Sequence, residues 1–114
     1  MSLLSAGSIQ GTSVNNPAGE SLGDIKDLMI DLPSGRVAYA VVEFGGLFGI
    51  GSKLFAVPML ALKQDAVNKC FILDATQASL ENTEGFDKDH WPDFADRTWQ
   101  TKVHEHYKTS PYWM

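Results

Sequence analysis

With 114 residues, of which 44% are hydrophobic and 20% charged, the chain has the size and composition of a single globular domain. Its net charge of −5 reflects 14 acidic residues against 9 scattered lysines and arginines, which disfavours direct binding to nucleic acid or to an anionic membrane surface. The longest apolar stretches fall far short of the roughly 20 residues that a membrane-spanning helix needs. We therefore expect no direct nucleic-acid partner and no membrane span.

The single cysteine, Cys70, excludes an intrachain disulfide bond. It lies in the apolar run 70–73, which favours a buried structural thiol over a reactive one. A chain without disulfides fits a reducing compartment, and the N-terminus lacks the pattern of a secretory signal. We expect a cytoplasmic protein.

The first predicted elements are two strands separated by a strong turn. Residues 8–14 form the first candidate strand, and the turn-forming residues 15–19 follow it. The second strand spans about residues 20–32, and the spacing of its apolar residues changes from three positions to two. This change predicts a β-bulge or a strong bend near Lys26 and Asp27.

The next segment is predicted to complete a hairpin. Gly23 inside the second strand and the turn that contains Gly35 favour a hairpin over an amphipathic helix, which is the competing interpretation. The third strand, Arg36–Phe44, is apolar on both faces, so both faces should be covered. One face can fill a barrel, and the other needs a helix or a second subunit.

The glycine-rich segment 45–51 could connect two strands or hold a phosphate. A phosphate cradle leads into a helix, whereas a short strand, 54–58, is predicted here, and the motif Gly-Lys-Ser/Thr is missing. A strand connection is therefore preferred, with an anion site as the alternative. The glycines assigned to structural turns are Gly23, Gly35, Gly45, Gly46, Gly49 and Gly51.

The rest of the chain predicts two more elements and a helical tail. Residues 59–62 are expected to continue the preceding strand, and residues 69–73 form another strand after a polar turn. Residues 74–76 can cap a short helix that runs to about Leu80. An acidic, aromatic segment follows, in which one apolar residue recurs every four positions, as on one face of a helix. These residues are Ala95, Trp99, Val103 and Tyr107, between Pro92 at the predicted start and Pro111 beyond the end.

Several of these segments resemble the motifs of PRC-barrel domains, in the same order and with similar spacing. The resemblance covers about residues 4–86. Its motifs are LGDIKDLMID at 22–31, VAYAVV at 37–42, GG at 45–46, LFGIG at 47–51, VP at 57–58 with Leu62, LDAT at 73–76 with Leu80, and GFD at 85–87.

PRC-barrels are small β-barrels named for the cytoplasmic domain of the photosynthetic reaction centre H subunit. They also form the C-terminal half of a ribosome-maturation factor that binds a small-subunit ribosomal protein. This chain resembles a stand-alone bacterial member. The resemblance implies a mainly β fold with a short helix, formed by a PRC-barrel-like domain at 1–86. Residues 87–114 lie outside the family pattern, and their composition and spacing predict an acidic, aromatic, helical tail. The tail would pack on the barrel or on a second subunit.

Candidate catalytic and metal-binding residues favour structural roles. Asp24, Asp27 and Asp31 lack the setting of a substrate cleft, and we expect Asp27 to bond the backbone at the bulge. His104 and His106 are two positions apart, so they would diverge on a helix. We expect no catalytic residue, no metal ligand and no cofactor.

Large aromatic and apolar residues are the candidate interface, because such residues supply much of the energy of protein contacts. The leading hypothesis is a non-enzymatic protein-interaction or assembly module, a homodimer that also contacts an unidentified protein. One alternative is an accessory factor in RNA metabolism or ribosome assembly that acts through a basic protein. Another is a small-ligand or metal-binding domain. The candidate interface residues are Tyr39, Leu47, Phe48, Trp91, Trp99, Val103, Tyr107 and Trp113.

Overall fold

The computed structural model describes residues 3–44, 53–81, 85–87, 90–111 and 113. Within these ranges, six strands form one curled sheet that makes up half of a barrel. The strands are β1 (Ser13–Asn15), β2 (Ser21–Asp31), β3 (Arg36–Phe44), β4 (Lys53–Pro58), β5 (Leu62–Asp65) and β6 (Cys70–Leu73). The helices are α1 (Ala6–Ile9), a 3-10 helix (Met59–Ala61), α2 (Gln77–Glu81) and α3 (Arg97–His106). The predicted mainly β fold, with a short helix and a C-terminal helix, is confirmed.

The strands are ordered β4-β3-β2-β1-β6-β5 across the sheet. β1 and β6 pair in parallel, and the other neighbours pair antiparallel. In the β2–β3 hairpin the register shifts between Ile25 and Asp27, where the sequence predicted a bulge. The Leu28 backbone N–H donates to Asp27 Oδ1 over 2.8 Å, so this carboxylate supports the backbone at the bulge, as predicted.

Two glycines have backbone conformations that the hairpin requires. Gly23 has φ +140°, and a Cβ atom there would overlap the carbonyl oxygen of Glu43 on β3. Gly35 has φ +72° in the turn between the two strands. Both are conformations that side chains disfavour. The glycine segment 45–51 lies outside the described residues, and its predicted role as a strand connection stays a prediction.

The prediction of one strand over residues 8–14 is wrong. α1 forms first, because the Ser5 side chain accepts a hydrogen bond from the Ser8 backbone N–H and caps the helix. A turn at Gly11, with φ +84°, then leads into β1. Only the end of the predicted segment is therefore a strand.

The prediction that residues 59–62 continue the preceding strand is also wrong. β4 ends at Pro58, the 3-10 helix follows, and β5 begins at Leu62. β4 and β5 lie at opposite ends of the strand order. The 3-10 helix therefore connects the two edge strands of the sheet.

Side-chain caps determine where α2 and α3 begin. Thr76 Oγ1 accepts the Ser79 backbone N–H over 3.0 Å, which agrees with the predicted cap at 74–76. Asp96 caps α3 by accepting backbone N–H groups of its first turn, among them that of Thr98 at 2.9 Å. α3 therefore begins after Asp96, and the predicted start near Pro92 is wrong.

The two faces of β3 are covered by different parts of the chain. One face joins the main core, where Ala40 and Val42 pack with buried residues of the other strands and with Leu80 of α2. On the other face, Tyr39 packs with Ala38 and Ala56 beneath residues of α3 and of the segment before it. The expectation that both faces are covered is confirmed, and the outer cover includes a helix of the same chain.

Candidate functional site

Tyr39 attaches α3 to the sheet through a buried polar contact. Its side chain is 1% exposed. Its hydroxyl oxygen lies 3.0 Å from Gln100 Oε1 and 2.9 Å from His104 Nε2. Gln100 and His104 are four positions apart, and so they lie on the same face of α3. One β3 hydroxyl therefore bonds two successive turns of the helix.

The hydrogen-bond partners assign the protons in this network. Gln100 Oε1 can only accept, so the Tyr39 hydroxyl donates to it. The Tyr39 oxygen then accepts from His104 Nε2, and the Thr109 hydroxyl donates to Nδ1 over 2.9 Å. Neutral His104 is thus satisfied at both ring nitrogens, and burial lowers the pKa of its imidazole below the usual value.

A cluster of aromatic rings surrounds this contact. The Tyr39 ring lies 5.8 Å from Trp99 and 6.0 Å from Phe94, measured between centroids. Phe94 and Trp99 are 4.9 Å apart with nearly perpendicular rings. At the edge of the cluster, the Trp91 ring lies 5.2 Å from the Phe86 ring at a tilt of 58°, and Trp91 is 38% exposed. The cluster covers the outer face of the sheet beside α3.

The chain after α3 returns over His104. Lys108 adopts a left-handed conformation with φ 57°, and the Thr109 backbone N–H donates to the His104 carbonyl oxygen over 2.9 Å. The Trp113 ring lies 5.5 Å from the His104 ring. The Arg97 guanidinium, at the start of α3, lies 3.8 Å above the Trp113 ring. The returning segment therefore contacts both ends of the helix and covers the buried imidazole.

A groove of about 1120 Å³ lies beside α3. Its walls come from α3, from β4 and from the segments around residues 85–87 and 90–92. The apolar lining residues are Phe55, Ala56, Phe86, Pro92, Trp99, Val103 and Tyr107. The polar lining side chains are Lys53, Asp87, His90, Asp96, Thr98, Lys102 and His106.

Three exposed apolar side chains lie toward the same end of the sheet. Ile30 pairs with Val37 on β3, and Leu32 follows in the hairpin turn with 84% of its surface exposed. Leu60, 69% exposed, lies in the 3-10 helix that follows the β4 residue Pro58. Because Pro58 pairs with Tyr39, two residues from Val37, the register brings all three exposed residues to the same end. We call Ile30, Leu32 and Leu60 the apolar end.

The structure distributes the candidate interface residues among different environments. Tyr39 is buried beneath α3, and Trp99, Val103 and Tyr107 are half-buried on the side of α3 that packs on the sheet. Trp113 is half-buried against His104, whereas Trp91 is exposed. Leu47 and Phe48 lie outside the described residues. The interface role of the whole set stays a prediction.

The sequence did not reveal the hydrogen bonds between α3 and Tyr39. Gln100 and His104 stand four positions apart beside the aromatic stripe, which is a signal of a shared helix face. Their partner Tyr39 lies 61 and 65 positions away, so no local pattern connects them. The groove and the apolar end were missed for the same reason.

Two further findings hold for the part of the chain that the structure describes. No group of three or more His, Cys, Asp or Glu side chains there is placed to hold a metal ion. No helix there is both long and apolar enough to cross a membrane.

A curled half-barrel sheet with a helix packed on its outer face defines a small β-barrel-type domain. The family model of the PRC-barrel domain matches residues 1–80 of the 114, so the chain belongs to the PRC-barrel family. The resemblance drawn from the sequence motifs is thereby confirmed. No curated protein sequence matches the chain.

Proposed function

We propose that the chain is a non-enzymatic protein-interaction module that forms a homodimer through its apolar end. The observation that carries the proposal is the exposure of Ile30, Leu32 and Leu60 at one end of the sheet. Large apolar side chains that gather on a surface are typical of protein contacts. Membership of the PRC-barrel family supports the role of a small interaction module.

The charges beside the apolar end favour a second copy of the chain as the partner. Asp31 and Arg36 are paired across the β2–β3 hairpin, next to Leu32. In a two-fold symmetric contact the same patch meets itself, so the acidic residue of one copy can approach the basic residue of the other. The patch is therefore self-complementary in charge as well as apolar.

The polar side chains at the α3 contact support a non-enzymatic role. Gln100 and His104 use their buried polar atoms to bind Tyr39 and Thr109, which holds the helix in place.

The proposal also includes a cytoplasmic location, supported by the buried free thiol of Cys70.

Charged substitutions at the apolar end test the dimer contact. We expect Leu32→Lys and Leu60→Lys to lower the mass measured by light scattering after gel filtration from dimer to monomer, because a lysine would have to be desolvated in the contact. Val67→Lys is the matched control, since Val67 is 90% exposed in the turn after β5 and lies outside the apolar end. It should leave the dimer intact. Unchanged dimerisation in both Leu variants, or equal loss in all three, would contradict the assigned surface.

A further inference from the structure

The groove beside α3 has the size of a binding site for a small molecule. Its volume of about 1120 Å³ is close to the upper limit of typical ligand pockets, which is about 1,000 Å³. Residues of α3 line one side, and residues of β4 and of the segment around Phe86 line the other. Because these elements pack on one another, the groove does not depend on a bound molecule for its shape.

Apolar side chains form the facing walls of the groove. On α3, Trp99, Val103 and Tyr107 recur every four positions and so form one row along the helix. On the other side lie Phe55 of β4 and Phe86, which a β-bridge joins to that strand. At 1.5 Å per residue the row on α3 is about 12 Å long, which accommodates a molecule of two fused rings.

The charged side chains of the groove balance one another. Two lysines, Lys53 and Lys102, and two aspartates, Asp87 and Asp96, line it. The groove therefore offers no net attraction to an anion or to a cation, and either one would lose hydration on entry. A neutral molecule avoids that cost.

The apolar row ends in a hydroxyl group that no described residue binds. Among the residues that the structure describes, none forms a hydrogen bond with the Tyr107 hydroxyl. No fully buried side-chain nitrogen or oxygen in the same ranges lacks a partner, so the Tyr107 oxygen is accessible. Because the side chain lines the groove, an acceptor bound there can reach this oxygen. Burial raises the pKa of the hydroxyl above its usual value, so it keeps its proton at neutral pH and can donate.

We propose that this groove binds a small neutral aromatic molecule that carries a hydrogen-bond acceptor, such as a carbonyl oxygen. The rings lie against Trp99 and Val103, and the acceptor receives the hydrogen bond of the Tyr107 hydroxyl. The site is separate from the proposed dimer contact, because the apolar end lies outside the groove lining.

A neutral probe and its charged counterpart test the class of ligand. 2-Acetylnaphthalene is a neutral aromatic ketone, and 2-naphthoate has the same rings with a negative charge. Their binding can be followed by NMR from the Trp99 indole and Val103 methyl resonances. We expect saturable binding of the ketone, about two-fold or more tighter than that of naphthoate, because the carboxylate must be desolvated in the groove. Failure of the ketone to saturate at millimolar concentration, or equal or tighter binding of naphthoate, would overturn the proposal.

Removal of the Tyr107 hydroxyl tests the assigned donor. Tyr107→Phe should weaken binding of the ketone about two-fold to ten-fold, as one neutral hydrogen bond allows. Binding of 2-isopropenylnaphthalene, in which a methylene group replaces the carbonyl oxygen, should not change.

Thr98→Val is the matched control, because it removes a hydroxyl from the other end of α3 in the same groove. No described residue forms a hydrogen bond with either hydroxyl, so both variants should fold, and their thermal midpoints would verify this. Ketone affinity that is unchanged in Tyr107→Phe, or reduced equally in Thr98→Val, would contradict the role of Tyr107.

Concentration of the protein without a probe distinguishes a small molecule from a second copy of the chain as the occupant. The Trp99 and Val103 resonances should keep their positions from micromolar to millimolar protein. Shifts of these resonances that follow the protein concentration would place a second copy in the groove and contradict the proposal.

Discussion

At the scale of single residues, Tyr39 and His104 connect the sheet and α3 through polar atoms that are buried in an aromatic setting. Buried polar groups stabilise a fold only while each one is hydrogen-bonded, and the unpaired group costs more than the bond itself provides. The role of Asp27 could be predicted because it bonds the adjacent residue. The Tyr39–His104 contact could not, because 65 positions separate the two residues.

Removal of the Tyr39 hydroxyl should break its hydrogen bonds to the buried atoms Gln100 Oε1 and His104 Nε2. We expect Tyr39→Phe to lower the free energy of unfolding by about 1–3 kcal/mol, measured by chemical denaturation. Tyr107→Phe is the control, because it removes a hydroxyl from the groove wall and leaves this network unchanged. If the two variants were equally stable, the Tyr39 hydroxyl would not anchor α3.

The buried imidazole of His104 should make stability depend on pH. Its pKa is below the usual 6.5 in the folded state because burial disfavours the charged form. The unfolded chain therefore binds a proton first as pH falls, and the free energy of unfolding should decrease from about pH 6.5 down to the folded-state pKa and then level off. Denaturation curves measured at a series of pH values would show this slope.

Two histidine substitutions isolate the source of that dependence. His104→Gln should remove the slope, because glutamine keeps polar atoms in the network but does not titrate in this range. His90→Gln changes an exposed imidazole and should keep it. A slope that persisted in His104→Gln would assign the pH dependence to another group.

At the scale of elements, the sequence predicted those whose signals are local. The bulge in β2, the extent of β3 and the cap of α2 follow from apolar spacing and from side chains next to the backbone groups they bind. The segment 8–14 was predicted wrongly because the Ser5 cap competes with strand formation. The crossing after Pro58 depends on which edge β5 occupies, and no local pattern determines that.

The pairing of β2 with β3 provides a test at this scale. Gly23→Ala should lower the free energy of unfolding by more than about 2 kcal/mol, because the new Cβ would overlap the Glu43 carbonyl oxygen in a backbone conformation that alanine disfavours. Gly7→Ala is the matched control, since an added Cβ in α1 meets nothing within 4 Å. Equal stability of the two variants in chemical denaturation would show that β2 and β3 are not this close.

At the scale of the whole molecule, the packing of α3 changes the reason for expecting a dimer. The sequence suggested that the outer face of β3 needs a helix or a second subunit, and residues of the same chain cover that face. The remaining motive is the apolar end, which the sequence did not reveal because only strand register and the 3-10 helix after β4 place Ile30, Leu32 and Leu60 toward the same end of the sheet. The division at residue 86 stays a prediction, beside a family match that ends at residue 80.

The mass of the unmodified chain in solution tests the proposed assembly most directly. Sedimentation equilibrium at high micromolar concentration should give twice the chain mass of 12.5 kDa, and dilution should shift the average mass toward that of one chain. A mass of 12.5 kDa at every concentration would contradict a homodimer formed through the apolar end.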